Sequence, residues 1–174
     1  MFLVRDGRLQ ELDHLFRRHH VKLYNYFVML TGDQTVSEDL AQEVFLRILR
    51  FRHTFKGSGA FTSWMFQIAR NVGIDFYRRR KKVDPLDERF NNIKSLDPTP
   101  FEELSKNQQI DILRDAIRKL SRKHREVLFL ARFQEMPLKE IAKITRCPVN
   151  TVKVRIHRAI KELSTIYAEL AEVS

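Results

Sequence analysis

Cysteine occurs once in the 174 residues, at Cys147, so no internal disulfide framework can form. Cys147 lies in a turn without a cysteine partner and reads as a small buried filler rather than a redox switch. Glycine is scarce as well, with five residues and none beyond Gly73, and strand-like alternation is rare. No apolar run approaches the about 18 residues of a membrane span, and "MFLVRDGRLQ" is too short an apolar start for a secretory signal. A cytoplasmic protein without membrane insertion is expected. There is no glycine-rich phosphate loop of the Walker type, no nucleophile–base arrangement and no metalloprotease signature. His14, His19 and His20 lack the cysteine or carboxylate spacing of a metal site. Neither catalysis, nor a cofactor, nor a metal is expected.

Acidic residues are also short, 22 against 32 Lys plus Arg, which leaves a formal charge of +10. Such an excess attracts polyanions, nucleic acid and anionic membrane surface above all, although a solvated basic surface alone would also account for it. The 43% of apolar residues suits a packed globule. They recur at i, i+3, i+4 and i+7, the pattern of amphipathic helices, and predict an all-α chain. Three of the five prolines, Pro85, Pro98 and Pro100, fall in "DPLDERFNNIKSLDPTPFEELSK" among Asp, Asn and Ser. The reading is of two small helical domains, 1–83 and 107–174, joined by a flexible linker at 84–106, with relative motion expected between them.

In the first block, "SEDLAQEVFLRILRF" predicts a helix with Ser37 as N-cap and Glu38 and Asp39 at the positive end of its dipole. Leu40, Val44 and Ile48, with Ala41, Phe45 and Leu49, make its inner face. Asp39, Gln42, Glu43 and Arg47 are left outside, which for a lone helix reads as a solvated polar face. Next, "KGSG" should be a loop, because glycine is costly inside a helix. Phe61, Trp64, Met65, Ile68, Val72 and Phe76 then recur at helical spacing before "RRRKK". Several of these must be core. A loop, clustered aromatics and a basic tail also match single-stranded DNA binding, in which rings stack on bases and cations follow phosphates.

The second block divides at its punctuation. Ser121 caps a helix expected to reach about Gln134, Pro137 resets the chain, and "LKEIAKIT" is a short helix with Leu138, Ile141 and Ala142 inward. "RCP" breaks it, and a further helix runs from Val149 beyond Leu163. Two helices joined by so tight a turn form a helix-turn-helix. Projection at about 100° per residue puts Val152, Ile156, Ala159, Ile160 and Leu163 toward the core. Asn150, Val154, His157, Arg158 and Lys161 fall opposite, flanked by Lys153 and Arg155. That face suits a major groove, where Arg or Lys reads guanine and Asn reads adenine, better than it suits mere solvation.

Three segments, "SEDLAQEVFLRILR", "FTSWMFQIARNVGIDFYRRRKK" and "LKEIAKITRCPVNTVKVRIHRAIKEL", together resemble the bacterial extracytoplasmic-function (ECF) sigma factors of the sigma-70 superfamily. They stand in that family's order, and the likeness covers most of the chain beyond about residue 10 except the linker. The resemblance implies a promoter-specificity subunit that binds core RNA polymerase, recognises the −10 and −35 promoter elements and helps to open the DNA. It implies that Asp39, Gln42, Glu43 and Arg47 dock on the clamp of the polymerase's largest subunit. Phe55, Lys56, Ser58, Phe61, Ser63, Trp64, Asn71, Arg78 and Arg79 would capture a flipped base of the −10 element. Asn150, Thr151, Lys153, Val154, Arg155, His157, Arg158 and Lys161 would meet the −35 element, with Arg155 on phosphate. An anti-sigma factor is a further partner that the resemblance implies.

Two departures stand out. Arg146 holds a turn position where many helix-turn-helix proteins have glycine, which predicts a strained backbone there. Val154 is apolar in a face that is often polar, and a thymine methyl would be an acceptable partner. A stand-alone helix-turn-helix regulator is the alternative, and it leaves the aromatic loop and the acidic docking face unexplained. A nuclease would need clustered carboxylates or a metal site, and the sequence offers neither.

Overall fold

The computed structural model describes residues 1–57, 60–83 and 108–173; Ser58 and the expected linker at 84–106 lie outside them. Among the described residues every regular element is helical. The first block holds α1 (Phe2–Arg5), α2 (Glu11–Thr31), α3 (Gln34–Phe51) and α4 (Phe61–Val83). The second holds α5 (Gln108–Lys119), α6 (Arg122–Leu128), α7 (Leu138–Thr145) and α8 (Val149–Val173).

Leu23, Tyr26, Phe27 and Leu30 share one face of α2 and are buried. That helix ends at Gly32, whose φ of 73° is the left-handed conformation that only glycine enters without steric cost. The stop sets the start of α3. Asp33 is extended and accepts a hydrogen bond from the Val36 amide at 2.8 Å, so Asp33, not Ser37, is the N-cap. Ser37 lies inside the helix, buried, with its hydroxyl against Thr31 Oγ1 at 2.9 Å. Its polar group ties the α2–α3 corner instead of capping. Leu40, Ala41, Val44, Phe45 and Ile48 form the inner face of α3 as their spacing predicts. On α4 the buried set is Met65, Phe66, Ile68, Ala69 and Val72, while Phe61, Trp64 and Phe76 lie half-buried at its margin.

Ser121 caps α6, accepting from the His124 amide. After Leu128 the helix widens into a π turn over Phe129–Phe133, which closes with Glu135 at a φ of 51°. On α7, Ile141 and Ile144 are fully inside, and Leu138 and Ala142 are half-buried. Arg146 then takes φ 54° and ψ 48°, the left-handed strain expected at that position. Val152 and Ala159 anchor α8, with Ile156 and Leu163 half-buried. Ile160, expected inside, is 37% exposed, because it sits where the apolar stripe of α8 meets its solvent face.

The blocks share one continuous buried core. Tyr26 of α2 is the joint: its ring meets Phe27, Phe66 and Phe129 edge-on at 5.2–5.4 Å, and Phe129 belongs to the second block. Such aromatic pairs contribute about 0.5–1.5 kcal/mol each beyond burial. Arg125, itself buried, donates to the Met29 carbonyl at 3.0 Å, and the Arg122 guanidinium lies 4.4 Å over the Tyr77 ring. Helix α7 rests against α4.

Candidate nucleic-acid interface

Two surfaces have the chemistry of a DNA reader. The first is the outer face of α8, which begins directly after the Arg146–Pro148 turn. Asn150, Lys153, Val154, His157, Arg158 and Lys161 are all exposed on it. Val154 is 48% exposed amid these polar groups, so an apolar base edge such as a thymine methyl suits it. Thr151 and Arg155 lie at the margin, half-buried, with the Arg155 guanidinium 3.5 Å from Cys147 Sγ. Cys147 also lies 3.1 Å from Thr145 Oγ1 and so helps fix the turn. The face is held rigid from behind by His124 and Glu162, 2.6 Å apart across α6 and α8.

The second is a cleft of about 200 Å³ in the first block. Thr54, Phe55, Lys56 and Gly57 form one wall, and Ala60 with Ser63, Trp64 and Gln67 of α4 forms the other. Phe55 is buried, its ring 5.3 Å from Trp64 and 6.1 Å from Phe61, so it builds the cleft from within. Trp64 is the half-exposed ring, and Lys56 is exposed beside it. Ser63 is buried and donates to Glu140 of α7. Asn71, further along α4, accepts from Arg146 at 3.2 Å. Arg78 and Arg79 are exposed near the end of α4. Ser58 lies outside the described residues. Glu140 and Lys143 close the cleft from the second block; Lys143 at 2.8 Å, and then Ser63, hold the Glu140 carboxyl below its ordinary pKa.

A third surface is the outer side of α3. Asp39 and Gln42 are exposed, and Gln42 lies 3.4 Å from Glu38. Arg47 is clasped by Glu43 at 2.7 Å and by Asp75 of α4 at 2.9 Å. Burial opposes its charge, but these two carboxylates outweigh it and raise its pKa. The same clasp lowers the pKa of Asp75. Leu46, 63% exposed between these groups, is an apolar spot absent from the residues that the sequence singles out on this helix. Its breach of the 3.6-residue pattern on the polar side was the available signal.

Residues 15–83 match the pattern described as Sigma-70 region 2, and residues 110–163 that of Sigma-70, region 4. The chain is 30% identical over 156 residues to the RNA polymerase sigma factor YlaC of Bacillus subtilis, covering 87% of this chain and 89% of that one. The chain belongs to the ECF sigma factors of the sigma-70 family. A second relative, the ECF RNA polymerase sigma factor SigX of Bacillus subtilis, is 28% identical over 86% of this chain and 79% of its own. Among solved structures, the sigma factor RpoE in complex with the anti-sigma factor NepR from Bartonella quintana superposes with a TM-score of 0.76 at 21% identity. That match covers 90% of this sigma factor and 96% of RpoE. CnrH in complex with the cytosolic domain of CnrY gives 0.69 at 21%, over 95% and 93%. At that identity the likeness shows the fold alone.

As an alternative sigma factor the protein directs promoter recognition and transcription initiation. Region 2 spans α2 to α4, and region 4 contains the helix-turn-helix. The stand-alone regulator finds no support, since this sigma factor carries both regions. Among the described residues no group of His, Cys, Asp or Glu could hold a metal ion, and no helix is long and apolar enough to cross a membrane.

Proposed function

We propose that this sigma factor works through the three surfaces in concert. The outer side of α3, with Asp39, Gln42, Glu43 and Arg47, docks on the clamp of the polymerase's largest subunit. The aromatic cleft takes an unpaired base of the −10 element, with Phe55, Lys56, Phe61, Ser63 and Trp64 around it, Asn71 further along α4, and Arg78 and Arg79 on the backbone. Holding a flipped base in a protein cleft offsets an unstacking cost of a few kcal/mol. The α8 face, from Asn150 to Lys161, reads the −35 duplex. The chain supplies recognition and no chemistry of its own, and it works in the cytoplasm.

The observation that carries this reading is the presence, in one chain, of an exposed cationic helix face behind a helix-turn-helix and a separate aromatic cleft. The two elements are about 25 base pairs apart, about 85 Å at 3.4 Å per base pair. A packed chain of this length has a radius of gyration of only about 16 Å. Both elements are within reach only if the blocks, bounded as 1–83 and 107–174, separate about the linker at 84–106. Glu140 and Lys143 line the cleft from the second block, so separation of the blocks would also open the cleft wider.

RpoE was solved with NepR, described as an anti-sigma factor, and CnrH with the cytosolic domain of CnrY. We assign this chain a partner of the same kind. A ligand that binds the packed arrangement better than the separated one would hold the protein off the promoter by population shift.

The test is transcription from a cognate promoter by core RNA polymerase with and without the purified protein. Specific transcripts that depend on the protein are expected. Equal output from both reactions contradicts the reading.

A further inference from the structure

Helix α1 precedes the region 2 match, which begins at residue 15, yet it is not idle. Val4 is fully buried and pins this short helix in place. The Phe2 ring lies 5.3 Å from the Phe55 ring, and the Arg5 guanidinium lies 5.0 Å over Phe2. Phe2 also rests on Gly57: a Cβ added there would come within 2.2 Å of the Phe2 ring. Gly57 has a φ of 71°, so glycine is required twice over, by its conformation and by the ring. Phe2 does not line the cleft. It backs the wall of the cleft, so that Phe55 has Phe2 and Trp64 as ring neighbours, each at 5.3 Å. A ring left 49% exposed does little for the core, and its value lies in what it holds.

We propose that Phe2, carried on α1, is a positioning residue for −10 recognition, a role that presupposes the −10 assignment of the cleft. Without it, Phe55 and Gly57 lose their outer support. The wall on which a captured base must seat becomes an ensemble, and ordering it is then charged against binding.

The experiment uses the full chain assembled with core RNA polymerase. The probe is a forked duplex whose nontemplate −10 strand is single-stranded, taken from a promoter that the holoenzyme transcribes. Phe2→Ala should weaken binding of the fork about five- to tenfold, the scale of one aromatic contact. It should also narrow the preference for the native −10 base over a substituted one, and leave affinity for −35 duplex unchanged. Phe2→Tyr keeps the ring and should restore both. Gly57→Ala, which puts a methyl in the space of the ring, should give the same loss, and adding Phe2→Ala to it should cost little more.

Trp64→Ala is the control on the cleft itself. If Trp64→Ala weakens the fork while Phe2→Ala matches the wild type in affinity and base preference, the role of Phe2 is overturned and the cleft stands. If neither variant changes fork binding, the −10 assignment falls and the role of Phe2 with it. A loss for Phe2→Ala that extends equally to −35 duplex also overturns the proposal, because it marks general unfolding.

Discussion

Tyr26 of α2 donates its phenolic proton to Glu126 of α6 at 3.0 Å, across 100 residues of sequence. Arg70 of α4 flanks the same carboxylate at 3.1 Å. Burial, and then the charge of Glu126, holds the Tyr26 pKa well above its ordinary value, so the phenol remains the donor. The blocks are therefore closed by a polar clasp at the centre of an aromatic cluster. Tyr26→Phe keeps the ring and removes the donor. Denaturant unfolding should show a loss of about 1–3 kcal/mol; an unchanged midpoint would mean that the clasp contributes nothing.

On α8, Arg158 and Lys161 should separate by kind of contact. Arg158→Ala is expected to weaken binding to −35 duplex by roughly 1–3 kcal/mol and to relax selectivity at one position. Lys161→Ala should weaken binding evenly across sequences and lower the salt slope by about 1. Titrations at several salt concentrations measure both. Unchanged affinity for Arg158→Ala would remove it from the groove.

Arg146 is held in the left-handed region, where a side chain costs about 1–2 kcal/mol. Its hydrogen bond to Asn71 is exposed and offsets only part of that cost. Arg146→Gly should raise stability by about 1 kcal/mol in thermal unfolding, net of the glycine's greater freedom in the unfolded chain. A lower melting temperature would show that the Asn71 contact outweighs the strain.

His19 is buried with its ring edge-on to Phe61 at 5.2 Å, and its Nδ1 has no hydrogen-bond partner. Burial, then Lys22 and Arg18, lowers its pKa to about 4. The unfolded chain takes up that proton near pH 6.5, the folded one only near 4. Stability from this group is thus complete above about pH 6.5 and lost as the pH falls toward 4, by about 3 kcal/mol at most. His19→Leu should lose less stability than the wild type over that interval. Parallel curves for the two proteins would contradict the assignment.

The local grammar of the fold was legible in the sequence. The Ser121 cap, the Pro137 reset, the Arg146 turn and the inner face of α3 all follow from spacing and turn chemistry. Ser37 was the expected cap of α3, but Gly32 ends α2 and the extended Asp33 directly after it takes the cap, which spacing within α3 did not reveal. The exposed face of α8 was readable because charge and helical period agree. The closure of the cleft by Glu140 and its backing by Phe2 were not, since both join segments far apart in sequence. Tyr26 and Glu126 illustrate the same limit, because neither carries a local sign of its partner.

In the proposed account promoter recognition depends on separation of the blocks, and a distance between them measures it. Donor and acceptor dyes placed at Lys22→Cys and Ala168→Cys, both exposed, in a Cys147→Ser background report on α2 and α8. Energy transfer should be high in the free chain and should fall when core polymerase and promoter DNA are added together. Transfer that stays high in a transcribing complex would contradict the account.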